Sequence, residues 1–270
     1  MSEWTGRRAL ITGASSGIGR AFAKHLARQG ANLVLTARSI ERLRQTADSI
    51  IDEIRTETGV NLTDQIRIEL IAADLAHPES PQSIFDQTAA AGLTIDLLIN
   101  NAGFGMAGPF TEQTLDRQLE MIQVNVNSLV ALTRLYLPGM IERRDGAIVQ
   151  VASTAAFQGV PWLSLYAGTK ALVMNFSEGL ATECRDSGVR IMAFCPGPTV
   201  SAFHQTAGAL PRGAERNMLT AEQVAEFALE QLKHHAVVAV PGRYNRLMIF
   251  MERFAPRRIV TRLAAGLYRP

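Results

Sequence analysis

The chain has 270 residues, of which 47% are hydrophobic and 19% charged, with a formal net charge of +2. That length and apolar content build one substantial core, and an α/β domain of this size needs no second domain. The balance of charge excludes a body built to grip nucleic acid. From the N-terminus, Ala9 to Thr12 reads as a short buried strand, and Gly17 to Gly30 follows with helical spacing of Ile18, Phe22, Leu26 and Ala27. Short, often β-branched apolar runs at Asn32 to Thr36, Ile66 to Ala72, Ile95 to Ile99, Ala147 to Val151, Arg190 to Phe194 and Val237 to Val240 complete seven strands. Between them Ile40 to Thr58, Ser80 to Ala91, Thr114 to Arg143, Leu163 to Ser187 and Ala221 to His234 are spaced as helices. The alternation implies an α/β fold, a doubly wound parallel sheet of seven strands with helices on both faces. In such sheets ligands sit beyond the carboxyl ends of the strands, where strand order reverses. Gly13, Asp74, Asn100, Ser153 and Pro196 each follow a predicted strand and belong to that edge. Residues 200–216, with Gly208, Pro211 and Gly213, read as a segment covering it.

Glycines at 13, 17 and 19 occupy the turn from the first strand into the first helix. Without a Cβ the backbone can approach a pyrophosphate there, while the helix N-terminus offers N–H groups and the positive end of its dipole. The spacing Gly-x-x-x-Gly-x-Gly differs by one residue from the commoner dinucleotide fingerprint. Farther on, Tyr166 and Lys170 stand four apart on a predicted helix, so both project from one face. A free tyrosine titrates near ~10, and a fixed cation beside it favours the phenolate, which suits proton exchange with an alcohol or carbonyl. Ser153, thirteen residues before Tyr166, ends the fifth strand and can donate to a substrate oxygen.

With the glycine turn, Asn100-Asn-Ala-Gly103, Asn125, Ser153, Tyr166, Lys170 and Pro196-Gly197 in that order, residues from about 5 to 242 resemble the single-domain branch of the short-chain dehydrogenase/reductase family. The resemblance implies a Rossmann-like domain over residues 1–242 and hydride transfer between a nicotinamide cofactor and a small-molecule carbonyl or secondary alcohol. Tyr166 would then be the general acid and base, and Lys170 would adjust its pKa and bond the nicotinamide ribose. Asn125 would kink the preceding long helix and hold a water in a relay toward the lysine. Gly13, Ser15, Ser16, Gly17, Ile18 and Gly19 would cradle the pyrophosphate, and Asp74-Leu75 would border adenine, the alternative for an acid at that strand end being to cap the next helix. Asn101, Ala102 and Gly103 would lie along the adenosine ribose, with Asn101 open to a structural role. Pro196, Gly197, Thr199 and Ser201 would hold the carboxamide. NAD-preferring members carry an acid where this chain has Ala37, and Arg38 beside it offers a planar fork for a 2′-phosphate, so NADP(H) is the expected cofactor. Ser16 stands where such enzymes often have a second basic residue. A homo-oligomer is implied, with Thr114 to Arg143 and Leu163 to Ser187 as contact faces. A non-catalytic NADP(H)-binding sensor is the alternative, but it has no need of the complete Asn125, Ser153, Tyr166, Lys170 set. A nucleotide-sugar epimerase is disfavoured by chain length and by the glycine spacing.

Residues 243–270 read as a basic amphipathic helical extension. From Pro241 onward seven arginines accompany a single acid, Glu252, so the tail carries +6 and the remainder −4. Leu247, Phe250, Met251 and Phe254 form one apolar set, and beyond Pro256 Val260, Leu263, Ala264 and Leu267 form another. These faces suit either a cover over the pocket or a subunit interface, or peripheral contact with an anionic membrane; the latter would match a lipophilic substrate. Cys184 and Cys195 lack metal-ligand spacing, so no metal is expected and a reducing compartment is. No apolar signal core opens the chain, and no apolar run approaches the ~20 residues of a membrane span. The expected location is the cytoplasm, with the tail at the inner membrane surface as its alternative contact.

Overall fold

The computed structural model describes residues 2–59, 65–200 and 218–268. Strands β1 (Arg8–Thr12), β2 (Asn32–Ala37), β3 (Ile68–Ala72), β4 (Leu97–Asn100), β5 (Gly146–Val151), β6 (Val189–Phe194) and β9 (Val238–Ala239) form one parallel sheet in the order β3-β2-β1-β4-β5-β6-β9. A separate pair, β7 (Thr199–Val200) and β8 (Leu219–Thr220), is too short to have left a periodic signal. The helices are α1 (Gly17–Arg28), α2 (Ile40–Thr58), α3 (Ser80–Ala90), α4 (Leu115–Ile122), α5 (Ser128–Arg143), α6 (Ser164–Glu183), α7 (Ala221–Lys233), α8 (Arg243–Glu252) and α9 (Arg257–Tyr268).

Alternation along each strand divides the interior in two. Ile11, Leu35, Ile99 and Val149 face one side with Phe22, Leu26, Leu43, Ile50 and Val224 from α1, α2 and α7. Leu10, Val34, Leu98 and Ile148 face the other with Ile84, Leu132, Tyr136 and Met140 from α3 and α5. Strands covered on both faces need apolar residues at successive positions, which is why they read as continuous runs rather than alternating ones. Burial of each such Leu or Ile stabilises the fold by about 1.5–3 kcal/mol. Helix ends follow local chemistry: the Ser39 hydroxyl accepts from the Arg42 N–H at 3.2 Å to open α2, and Gly59, at φ +72°, closes it.

One expected helix is not regular. The stretch anticipated as a single helix from Thr114 to Arg143 contains a π-helical turn at Gln123–Asn127 between α4 and α5. Ser128 Oγ donates to the carbonyls of Gln123 at 3.0 Å and Val124 at 2.8 Å, and the Gln123 carbonyl also accepts from the Ser128 N–H, the five-residue bond of the widened turn.

Candidate active site

The strand order reverses between β1 and β4, and the residues beyond their ends are drawn tightly together. Gly13 and Gly17 lie at φ +64° and +54°, values that favour glycine. A Cβ on Gly13 would stand 3.0 Å from both the Ala102 Cα and the Asn101 Nδ2, and one on Gly19 would overlap the Gly13 carbonyl. Asn101 Nδ2 donates to the carbonyls of Thr12 at 2.8 Å and Gly13 at 3.3 Å. The Thr12 hydroxyl accepts from the N–H groups of Asn101 and Ala102, both at 2.9 Å. The Asn101 amide is therefore committed to joining two strand ends.

These strand ends border a cavity of about 800 Å³. Gly13, Ser15, Ser16, Gly17 and Ile18 line it at the start of α1. Ser16 makes no side-chain cap, and the first turn holds no acid, whereas α2 is capped by Ser39 and α7 by a Thr220–Gln223 capping box. An uncapped N-terminus in a cradle that a Cβ would fill fits the pyrophosphate of a dinucleotide. Arg38 lines the same cavity, and so does Arg42, one turn farther on, which the sequence reading missed. Neither guanidinium has a partner among the described residues. Asp74 and Leu75 also line it. The Asp74 carboxylate accepts from the Ala76 N–H at 3.0 Å, capping the turn after β3 rather than α3, whose N-cap is Glu79.

Toward the other end, Ser153 and Thr154 follow β5, and Tyr166 and Lys170 project from α6 into the same space. Lys170 is only 4% exposed, and its Nζ donates to the Val151 carbonyl at 2.7 Å. Burial lowers its pKa to about 8, partly offset by Cys195, whose own thiol burial pushes up to about 12. The ammonium lies 5.9 Å from the centre of the Tyr166 ring. Ser153 Oγ accepts from the Ala155 N–H at 3.1 Å, leaving its hydroxyl proton for another acceptor.

Asn125 sits within the π turn and is fully buried. Its Oδ1 accepts from the Phe104 N–H at 3.0 Å, while its Nδ2 donates to the Phe104 carbonyl at 2.9 Å and to the Thr169 hydroxyl at 3.1 Å. Gly103 makes room for this, since a Cβ there would lie 3.0 Å from Asn125 Oδ1 and 3.3 Å from Lys170 Nζ. Pro196, Gly197 and Thr199 line the cavity beyond β6, and Thr199 Oγ1 donates to the Gly197 carbonyl at 3.0 Å. Ser201 and nearly all of the expected covering segment at 200–216 lie outside the described residues.

Phe104, Arg117, Glu120, Val124 and Leu163 form the wall beside Tyr166 and were not singled out from sequence. Arg117 pairs with Glu120 and stacks over Phe104, its guanidinium carbon 4.5 Å from the ring centre. Trp162, a bulky residue at φ +70°, leads into α6 and accepts from the Gly108 N–H at 2.9 Å. A non-glycine residue in that region is held there by its surroundings.

A glycine turn at the reversal of strand order, facing a tyrosine and buried lysine one helical turn apart across one cavity, defines an oxidoreductase of the doubly wound class. The chain belongs to the short-chain dehydrogenase family, whose profile, described as short chain dehydrogenase, matches residues 7–210. A very-long-chain 3-oxoacyl-CoA reductase of Anas platyrhynchos is 37% identical over 197 residues, which is 71% of this chain and 59% of that protein. The chain thus spans under two thirds of the length of that relative. A short-chain dehydrogenase from Sphingobium yanoikuyae in complex with NADPH superposes with a TM-score of 0.76 at 30% identity, over 92% of this chain and 94% of that one. One from Burkholderia phymatum in complex with NAD gives 0.79 at 25% identity, over 94% and 95%.

Proposed function

We propose that the protein is an NADP(H)-dependent oxidoreductase that interconverts a carbonyl and a secondary alcohol, with Tyr166 as the group that gives and takes the proton. The observation that carries this reading is the shared cavity. One end has an uncapped helix N-terminus flanked by Arg38 and Arg42, and the other has Ser153, Tyr166 and Lys170. The nucleotide, when bound, supplies hydride chemistry; the chain supplies position and charge. Gly13 to Gly19 would receive the pyrophosphate, Arg38 and Arg42 a 2′-phosphate, and Pro196 to Thr199 the nicotinamide end. Ser153 would donate a hydrogen bond to the substrate oxygen while keeping its proton, and Tyr166 would protonate that oxygen as charge develops on it. Lys170, held by the Val151 carbonyl, would keep positive charge beside the phenol.

Phe104, Val124 and Leu163 give the wall near Tyr166 an apolar character that suits a lipophilic carbonyl. The name of the Anas platyrhynchos relative puts long-chain 3-oxoacyl thioesters first among substrates to try, ahead of ketosteroids, retinoids and small aldehydes. The proposed setting is the cytoplasm, supported by two buried free thiols, Cys184 and Cys195. Exposed Ile141 on α5 and Leu172 on α6 support association of copies through those helices, which light scattering tests.

The decisive experiment is Tyr166→Phe. Reduction of a working carbonyl by NADPH, followed by absorbance, should fall by about 10²–10⁴-fold, the usual contribution of a positioned acid. NADPH affinity, read by fluorescence titration, should stay near the parental value. Parental turnover in the variant would reject the assignment.

A further inference from the structure

Helix α8 turns its apolar face away from the protein, and α9 buries part of its own and leaves Ile259 and Leu263 exposed. In α8 the side packed on the body carries Asn245, Ile249 and Glu252, all partly buried. Asn245 lies against Gly197, where a Cβ would approach its Nδ2 to 2.5 Å, and its amide donates to the Pro241 carbonyl at 2.9 Å. The opposite side exposes Leu247, Phe250, Met251 and Phe254, the last of them 72% exposed. In α9, Ala264 is buried while Ile259 and Leu263 face outward, Leu263 at 67% exposure. A helix whose apolar side faced only water would lose the burial that ordinarily holds such a helix in place. Arginines flank these faces: Arg246 and Arg253 beside the first, Arg258 and Arg262 beside the second, none with a partner among the described residues.

We propose that α8 and α9 dock on an anionic phospholipid surface, with the six outward apolar side chains entering the headgroup boundary and the arginines pairing with lipid phosphates. Charge selects this occupant. The tail carries +6, so tail-to-tail contact between two copies would oppose like charges, whereas an anionic bilayer neutralises them. Contact is peripheral, since no helix among the described residues is long and apolar enough to cross a membrane. It also sets the cavity beside the lipid, because Gly197 lines the cavity and Asn245 packs on Gly197, while Thr261 of α9 lies against Gly159 just ahead of the catalytic helix.

The test is co-sedimentation of the full chain with phosphatidylcholine vesicles, with and without phosphatidylglycerol, at low and high salt. Two variants accompany it, Phe250→Ser/Met251→Ser/Phe254→Ser and Arg258→Gln/Arg262→Gln. All the changed side chains are exposed, and NADPH titration reports whether each variant is folded, independently of lipid. The parent should sediment only with the anionic vesicles and less at high salt, and each variant should partition about tenfold more weakly with unchanged NADPH affinity. Background sedimentation of the parent, or equal partitioning of parent and variants, overturns the proposal. So does a parent that ignores vesicles but forms an oligomer which the serine variant splits in light scattering, because the apolar face would then belong to a second copy.

Discussion

Lys170→Met replaces a buried ammonium by an apolar chain of similar length, and it should make the protein more stable while abolishing its proposed turnover. The lysine titrates near 10.5 in an unfolded chain and is lowered to about 8 in the fold, chiefly by burial. At ~1.4 kcal/mol per unit this is about 3 kcal/mol of unfavourable charge burial near neutral pH. The variant removes that penalty but leaves the Val151 carbonyl without its 2.7 Å donor, a cost of about 1–3 kcal/mol. The net expectation is a gain of about 0–2 kcal/mol near pH 7. The sign of the pH dependence is a sharper test. Between about 8 and 10.5 the unfolded lysine holds a proton that the folded one has released, so stability rises with pH across that window. Urea unfolding followed by tryptophan fluorescence at both ends of the window should show a rise in the parent that exceeds the variant's by about 3 kcal/mol. Parallel pH curves would refute the buried-charge argument, as would a variant less stable than the parent by more than about 1 kcal/mol near neutral pH.

Two other substitutions test the nucleotide end. Gly19→Ala puts a methyl into the Gly13 carbonyl and 2.5 Å from Asn101 Nδ2, so it should lower stability by about 1–3 kcal/mol and weaken NADPH binding; an unchanged thermal midpoint and titration would contradict the close approach. Arg38→Ala and Arg42→Ala should each cost about 1.5–3 kcal/mol of NADPH affinity and leave NADH nearly untouched. Equal losses for both nucleotides, measured by calorimetry, would remove the 2′-phosphate reading.

The sheet was legible because its central strands β1, β4 and β5 are covered on both faces, and the resulting apolar runs are hard to mistake. Helix α2 was bounded to the residue because a serine cap and a left-handed glycine mark its ends. The π turn was not legible from periodicity, since one inserted residue preserves the apolar spacing on either side of it. Asn125 was singled out only through family resemblance, and its contacts with Phe104 and Thr169 join positions 21 and 44 residues distant. Arg42 was missed because on a helix with several arginines it reads as one more solvated charge. Arg117, Glu120 and Phe104 escaped because only tertiary packing brings α4 and the loop after β4 beside Tyr166. The tail's helices and their break near Pro256 were readable, but which way their apolar faces point was not.

The π turn has a consequence for how this site can change. Such a turn is an ordinary helix with one residue too many, so the segments before and after it keep the facing they would have had without it. Removing a single residue from positions 123–127 would leave Met121 and Leu132 directed at the same neighbours as before. If the residue removed were Asn125, the amide that ties the loop after β4 to the helix bearing Tyr166 and Lys170 would go with it. Folding and chemistry are therefore separable at this point in the chain. A lineage could gain or lose the coupling by a one-residue insertion or deletion, with little redesign of the core around it.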